Sequence, residues 1–292
     1  MDNNLVIDRK KAWIMIAPAT IFVFIFIVLP ILFMLRVSFY PQSNVSAYEN
    51  GFTFANYTKI LTDPFYLNVI FRTFIVGFST SIMTLIFGYP VAFCMSKLPK
   101  KKQQFLTLLI VAPLYTSIII RCYAWTVILG EKGIINSIVT NLFGCEPTQL
   151  LYTYFAVLLG LVYVFVAFMI LSIYNVLVDI NPSIEEAALV LGAKPWRAFW
   201  ETTLPLSLPG VFSGFLLVFI LSMGAYVVPE VLGGIKLGLV PNYIYRSVVL
   251  NFNWPFGSSM AFIYILVTAV VLIVYFRVVF YFNRHNRGGS TE

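Results

Sequence analysis

The chain has 292 residues, of which 60% are hydrophobic, 17% aromatic and 11% charged, with a net charge of +7 and a mean hydropathy of +0.89. Soluble domains carry about 25% charge, so this composition excludes a water-soluble globule and makes the bilayer the main solvent. The positive charge does not point to nucleic acid, because the bases cluster at the ends of apolar runs, where they set membrane orientation.

The first apolar run lies between Lys11 and Arg36, about 24 residues without charge, against the roughly 20 needed to cross the hydrocarbon core. It is too long for a cleaved signal, and "VLPILFMLRVSF" carries no small-residue cleavage pattern, so it is expected to stay as an anchor. Residues 39–67 form a polar connection with "YPQSN" and "TDPF" turns. The second run separates Arg72 from Lys97. The third starts at Phe105, is interrupted by Arg121 and stays apolar to Leu129. Further runs cover Leu151 to Val178, Leu206 to Val228, and about Gly257 to Phe282.

Unpaired amides are not tolerated in lipid, so the runs are expected to be six transmembrane helices of an all-α membrane protein. The expected spans are about 13–37, 69–96, 105–129, 151–178, 206–228 and 257–282, within one domain over 1–292, with a polar loop at 179–205. With both termini in the cytoplasm, about 12 bases fall inside and 7 outside, and the "KLPKKKQQ" loop strengthens that choice. Cys94, Cys122 and Cys145 show no disulfide or metal spacing, and His285 lies in the tail.

The loop at 179–205 is polar and tightly punctuated. In "NPSIEEAALVLG", Ser183 with Glu186 fits a capping box. Asn181 at the cap with Pro182 at the first helical position is the alternative start. Either start puts Glu185 and Glu186 in the first turn, where the helix dipole favours anions. Gly192 is placed to end the helix. Pro195 opens a second stretch with Trp196, Phe199 and Trp200 on one face, and Leu204 and Pro205 lead into the fifth span. Ala187 and Ala188 give the helix a smooth shoulder for a groove on a soluble partner, although an amphipathic helix resting at the headgroups fits the same pattern.

The segment "EAALVLGAKPWRAFWETTLP" resembles the EAA loop of binding-protein-dependent ABC importer permeases. Glu186, Ala187, Ala188, Gly192, Leu204 and Pro205 stand in register, with Thr202 at a position that family fills with a branched apolar residue. "GYPVAFCMSKLP" (88–99), "RCYAWTVILGEKGIIN" (121–136), "VVPEVLGG" (227–234) and "NWPFG" (253–257) are similar to polyamine-type permeases for spermidine and putrescine. The resemblance implies a type I importer fold in the bacterial inner membrane. It implies a second permease subunit, two cytosolic ATPases and a periplasmic solute-binding protein as partners. The coupling loop would be Glu185, Glu186, Ala187, Ala188, Gly192, Ala193, Leu204 and Pro205. Opines, amino acids and phosphonates are alternative solutes among relatives with these motifs.

No phosphate-binding loop, catalytic constellation or metal spacing occurs in the chain. ATP and magnesium are therefore expected on the partner ATPases, with no cofactor here and no enzymatic role. A self-sufficient secondary transporter is a lesser alternative, since such proteins show internal repeats and midplane carboxylates. Glu186 is expected to cap the loop helix, or to pair with a base on the ATPase. Gly210 and Gly214 form a Gly-x-x-x-Gly that suits close packing, toward a partner permease or within the chain. Arg121 lies about 24 Å along a helix starting at Phe105. That depth suggests a snorkelling structural charge bonding loop carbonyls, with solute contact as the second reading. For a cationic solute, Glu230, Tyr226, Tyr123, Trp125 and Trp254 are candidates for the path, although aromatic belts also mark membrane interfaces.

Overall fold

The computed structural model describes residues 17–43, 47–143 and 146–287, and all regular structure among them is helical. Residues 13–16 of the expected first span, the bases Arg9, Lys10 and Lys11, and Cys145 lie outside the described residues, as do the side chains of Arg284, His285 and Arg287. Among the described residues, five helices are long and apolar enough to cross a membrane: α1 (Ala17–Ser38), α3 (Pro64–Ser96), α7 (Tyr154–Asp179), α9 (Pro195–Met223) and the stretch Trp254–Val279 of α11 (Trp254–Arg287). Shorter helices are α2 (Ala55–Thr62), α4 (Lys100–Tyr115), α5 (Ile118–Leu129), α6 (Ile134–Phe143), α8 (Pro182–Val190) and α10 (Val240–Tyr245).

The third apolar run is not one rod. The segments Lys100–Tyr115 and Ile118–Asn141 meet at 91°, so a sixth span exists only as this bent pair. Pro113 has no N–H to continue the α ladder. The chain tightens into a 3-10 turn over Ala112–Tyr115, and Thr116 and Ser117 are extended, with ψ of 147° and 130°. The fifth span also differs from expectation. It starts at Pro195 rather than near Leu206, and ends at Met223. Pro205 cannot donate to the carbonyl four residues earlier, and the ladder just before it widens to π geometry over Phe199–Thr203 without interrupting the helix.

The chain divides into two compact units. One takes the chain up to Tyr66 together with Tyr243–Leu272. Here Ser259 Oγ donates to the Ser38 carbonyl at 2.8 Å, and Asn56 Nδ2 to that of Tyr40 at 3.0 Å. Phe39 lies among Phe52, Phe54 and Tyr57, with ring centroids 5.1–5.5 Å apart. Residues 21–27 of α1 are all exposed and apolar, as suits a surface covered by lipid or protein.

The other unit takes Leu67–Asn242 and the segment from Ile273. Its core is the α7–α9 pair, with Leu161, Met169, Ile173, Val211 and Val218 buried. Gly210 and Gly214 face α7: a Cβ on Gly210 would lie 3.0 Å from Val176 Cβ, and one on Gly214 2.8 Å from Met169 Sδ. The small-residue pair thus serves packing within the chain. Along α3 the buried hydroxyls of Thr73, Thr80, Ser81 and Thr84 each donate to the carbonyl four residues earlier, at 2.8–2.9 Å. Their polarity is thereby satisfied inside the helix, as lipid requires.

Candidate functional site

The loop between α7 and α9 folds as an elbow. Asn181 Oδ1 accepts from the Ser183 amide at 3.1 Å, and Pro182 takes the first helical position, where its missing N–H costs nothing. The cap is therefore Asn181. Glu186 does not make the capping box expected of it, because a start at Pro182 carries it past the first turn. Glu185 is the acidic residue of that turn. Glu186 is exposed, and no hydrogen bond or ion pair holds it among the described residues.

Gly192 ends α8 in a Schellman motif. Its φ is +89°, its amide donates to Leu189, and the Ala193 amide donates to Ala188, both at 3.0 Å. Val190, Leu191 and Trp196 around the bend are 87%, 88% and 72% exposed, an apolar tip presented outward. Ala187 is exposed and Ala188 half-buried. After the bend, Trp196, Phe199 and Trp200 cluster with centroids 5.4–6.3 Å apart. Phe199 packs edge-on against Phe93 and Tyr89 of α3. Because α9 is continuous, Leu204 and Pro205 sit inside the rod that the elbow turns.

Sequence reading missed the fastening of this elbow. Lys97, just past α3, forms an ion pair with Glu185, whose Oε2 also accepts from Thr203 Oγ1 at 3.3 Å. Gln103 on α4 donates to the Ser96 and Leu98 carbonyls and accepts from Tyr174 of α7 at 3.0 Å. These groups border a cleft of about 440 Å³ lined by Lys97, Lys100, Gln103, Asn181, Glu185 and Thr203 among others. The loop helix is thus tied by one carboxylate to the end of α3 and the foot of α9.

Among the proposed path residues, Tyr226 and Glu230 are brought together by Asn242, a fully buried residue not identified from sequence. Asn242 Nδ2 donates to Glu230 Oε2 at 2.7 Å and to the Tyr226 carbonyl at 3.0 Å, while its Oδ1 accepts from the Leu239 amide at 3.0 Å. Arg72 donates to the carbonyls of Lys236 and Gly238, and Thr73 accepts from the Val240 amide at 3.1 Å. The segment after Gly233 is thereby fixed to the start of α3. Helix α5 packs on the turn Pro229–Gly233 that carries Glu230. On α5, Trp125 meets the Tyr163 ring at 5.7 Å, and Tyr123 is 60% exposed. Trp254 begins α11 in the other unit.

Arg121 departs from its expected place. The break at Thr116–Ser117 puts it in the first turn of α5 instead of far along a straight span. Its guanidinium carbon lies 5.9 Å from the Tyr163 ring. Nε and Nη1 are buried and bond no loop carbonyl or other acceptor among the described residues.

The sequence pattern described as binding-protein-dependent transport system inner membrane component matches residues 12–288. The chain is 35% identical over 273 residues to the spermidine/putrescine transport system permease protein PotB of Haemophilus influenzae, covering 93% of this chain and 95% of that protein. It is 32% identical over 254 residues to the protein of the same name from Escherichia coli K12, covering 87% and 92%. Its structure is similar, with a TM-score of 0.73, to a chain of the bacterial alginate ABC transporter solved in complex with an alginate pentasaccharide-bound periplasmic protein. That likeness covers 94% of this chain and 96% of the other, at 17% identity, and concerns the fold. An apolar all-helical chain with these spans, this elbow and this match from near its start to near its end belongs to the family of binding-protein-dependent transport system inner membrane components, the multi-pass permeases of ABC transporters.

Proposed function

We propose that this chain forms half of the inner-membrane path of an ATP-driven importer for a small cationic solute of the spermidine or putrescine type. A second permease completes the path, a periplasmic binding protein delivers the solute, and two cytosolic ATPases, which carry ATP and magnesium, supply the energy. Both termini and the elbow at 179–205 face the cytoplasm, in keeping with the Lys and Arg bias.

The observation that carries this reading is the elbow: a capped helix and a glycine bend with an outward apolar tip, fastened through Glu185 to the ends of two spans. A soluble partner that grips the tip gains a lever on the membrane helices. ATPase closure would then bias the two-state equilibrium between inward and outward access. The polyamine class rests on the spermidine/putrescine naming of relatives that match over nearly the whole chain.

Co-expression with neighbouring genes, purification through a tag on this chain and reconstitution into proteoliposomes tests the proposal. The expected result is a co-purifying ATPase and second permease, with ATP hydrolysis raised by solute-loaded binding protein. Uptake measured with radiolabelled polyamines, amino acids, opines and phosphonates identifies the solute. Transport by this chain alone would refute the importer reading, and exclusive uptake of a non-amine would refute the polyamine class.

A further inference from the structure

Tyr163 is the tenth residue of α7, a 26-residue span. At 1.5 Å per residue it stands about 14 Å from one end and about 24 Å from the other. With a hydrocarbon core of about 30 Å, its ring lies well inside the bilayer. Arg121 reaches this depth and lays its guanidinium on that ring at 5.9 Å. Trp125, one helical turn on, meets the same ring at 73°. The Tyr163 ring thus carries the cation on its face and is buttressed edge-on by Trp125.

Buried guanidinium groups normally take carboxylates or carbonyls as partners. Here Nε and Nη1 have none among the described residues, and the guanidinium carbon instead stands over the Tyr163 ring. Tyr163 remains 39% exposed on the chain. A charge beside an exposed ring at this depth cannot face lipid cheaply, so this side of α5 and α7 faces water or another protein subunit. A broken helix at membrane depth, such as α4–α5, is also tolerated only where it lines protein or a cavity.

We infer that Arg121 is a tethered stand-in for the solute: its guanidinium occupies the face of the Tyr163 ring when the path is empty and yields that face to a solute ammonium in transit. The inference rests on the polyamine reading above. An ammonium over an aromatic face and a guanidinium over the same face are alternatives of similar strength. Arg121 thus weakens a site that would otherwise hold the solute, and conduction requires such weakness. It is a specificity-determining residue of the path.

The test uses the complete complex of both permeases and both ATPases in detergent, measuring equilibrium binding of radiolabelled spermidine without binding protein, and uptake in proteoliposomes. Arg121→Gln is expected to raise spermidine binding roughly 2- to 30-fold, the cation–π range of about 0.5–2 kcal/mol converted to a ratio, and to slow uptake. Arg121→Lys and Tyr163→Phe should behave as wild type, since each keeps the charge or the ring. Adding Tyr163→Leu to Arg121→Gln should abolish the gain. Unchanged or lower binding in Arg121→Gln, or a gain that survives Tyr163→Leu, overturns the inference. Should Arg121→Gln fail to assemble, Arg121→Met in an assembled complex must raise spermidine binding in the same way, and unchanged binding there overturns the inference equally. A wild-type complex that imports no polyamine defeats the polyamine reading. Wild-type import with an unresponsive Arg121→Gln defeats this inference alone.

Discussion

Gly192→Ala isolates the bend of the elbow from everything around it. A Cβ at this position would meet nothing within 4 Å, so no steric clash enters the argument. The cost comes from the backbone alone. With φ at +89°, an L residue in the left-handed region loses about 1–2 kcal/mol. Asn tolerates that region better than Ala, so Gly192→Asn should fall between Gly and Ala. Gly192→Pro should be worst, since it also deletes the amide that bonds Leu189 at 3.0 Å. The bend is exposed, so in the free permease the substituted residue relaxes out of the left-handed region without disturbing the core. Thermal stability and membrane insertion should remain as in wild type, and the cost is met when a partner requires the bend. The deficit should appear where the elbow is gripped. Titrating ATPase subunits onto the permease pair should show affinity weakened about 5- to 30-fold for Ala, which is 1–2 kcal/mol at about 1.4 kcal/mol per decade. Solute imported per ATP should fall in the order Gly, Asn, Ala, Pro. Wild-type affinity in Gly192→Ala would show that the Schellman geometry plays no part in coupling.

The fastening of the elbow should behave as a charge pair. Lys97→Glu and Glu185→Lys singly should lower import per ATP, and the double swap should recover part of the loss. With side chains 48% and 26% exposed, the pair contributes at most about 1 kcal/mol after solvent screening. Rising salt should narrow the difference between single and double variants in the same assay. Glu186→Lys should leave insertion and thermal stability unchanged but abolish ATP-driven uptake, because Glu186 holds no partner among the described residues and faces outward. Asn242→Leu should destabilise the segment that carries Glu230. It strips one partner each from the Leu239 amide, the Tyr226 carbonyl and the Glu230 carboxylate, and the buried Leu239 amide alone should cost about 1–3 kcal/mol when left unpaired. A lowered thermal midpoint of the detergent-solubilised protein would register it.

The spans were legible because charge and hydropathy are local properties, and lipid forces every long apolar run into a helix. The elbow was legible for a similar reason: Asn, Pro and Gly impose backbone geometry within a few residues. Where two start signals overlapped, at Asn181 and Ser183, the sequence left both open. Proline settles the choice, since Pro182 loses no hydrogen bond at the first helical position. The break at Thr116–Ser117 left a weaker trace. Pro113 alone does not say whether a helix kinks or turns through 91°, because that depends on what the second half packs against. Pairings between distant segments left no trace. Lys97 and Glu185 are 88 residues apart, and nothing in the periodicity of either segment names the other. Arg121 and Asn242 belong to the same class, since their partners on α7 and on the turn after α9 are set by tertiary packing.

The distant pairings set the elbow's two glutamates in different surroundings. Adjacent in sequence, they look interchangeable, and both were expected in the first turn of α8. A helix starting at Pro182 separates them. Glu185 turns inward to Lys97 and Thr203, while Glu186, 100° further round the helix, stays at the surface. Since Asn181 already caps the helix, the structure leaves Glu186 no internal duty among the described residues. Under the proposed coupling role, the inward carboxylate would tie the lever to the spans, and the outward one would meet the partner that grips it. Such a division explains why a short exposed helix in an otherwise apolar chain keeps two carboxylates side by side.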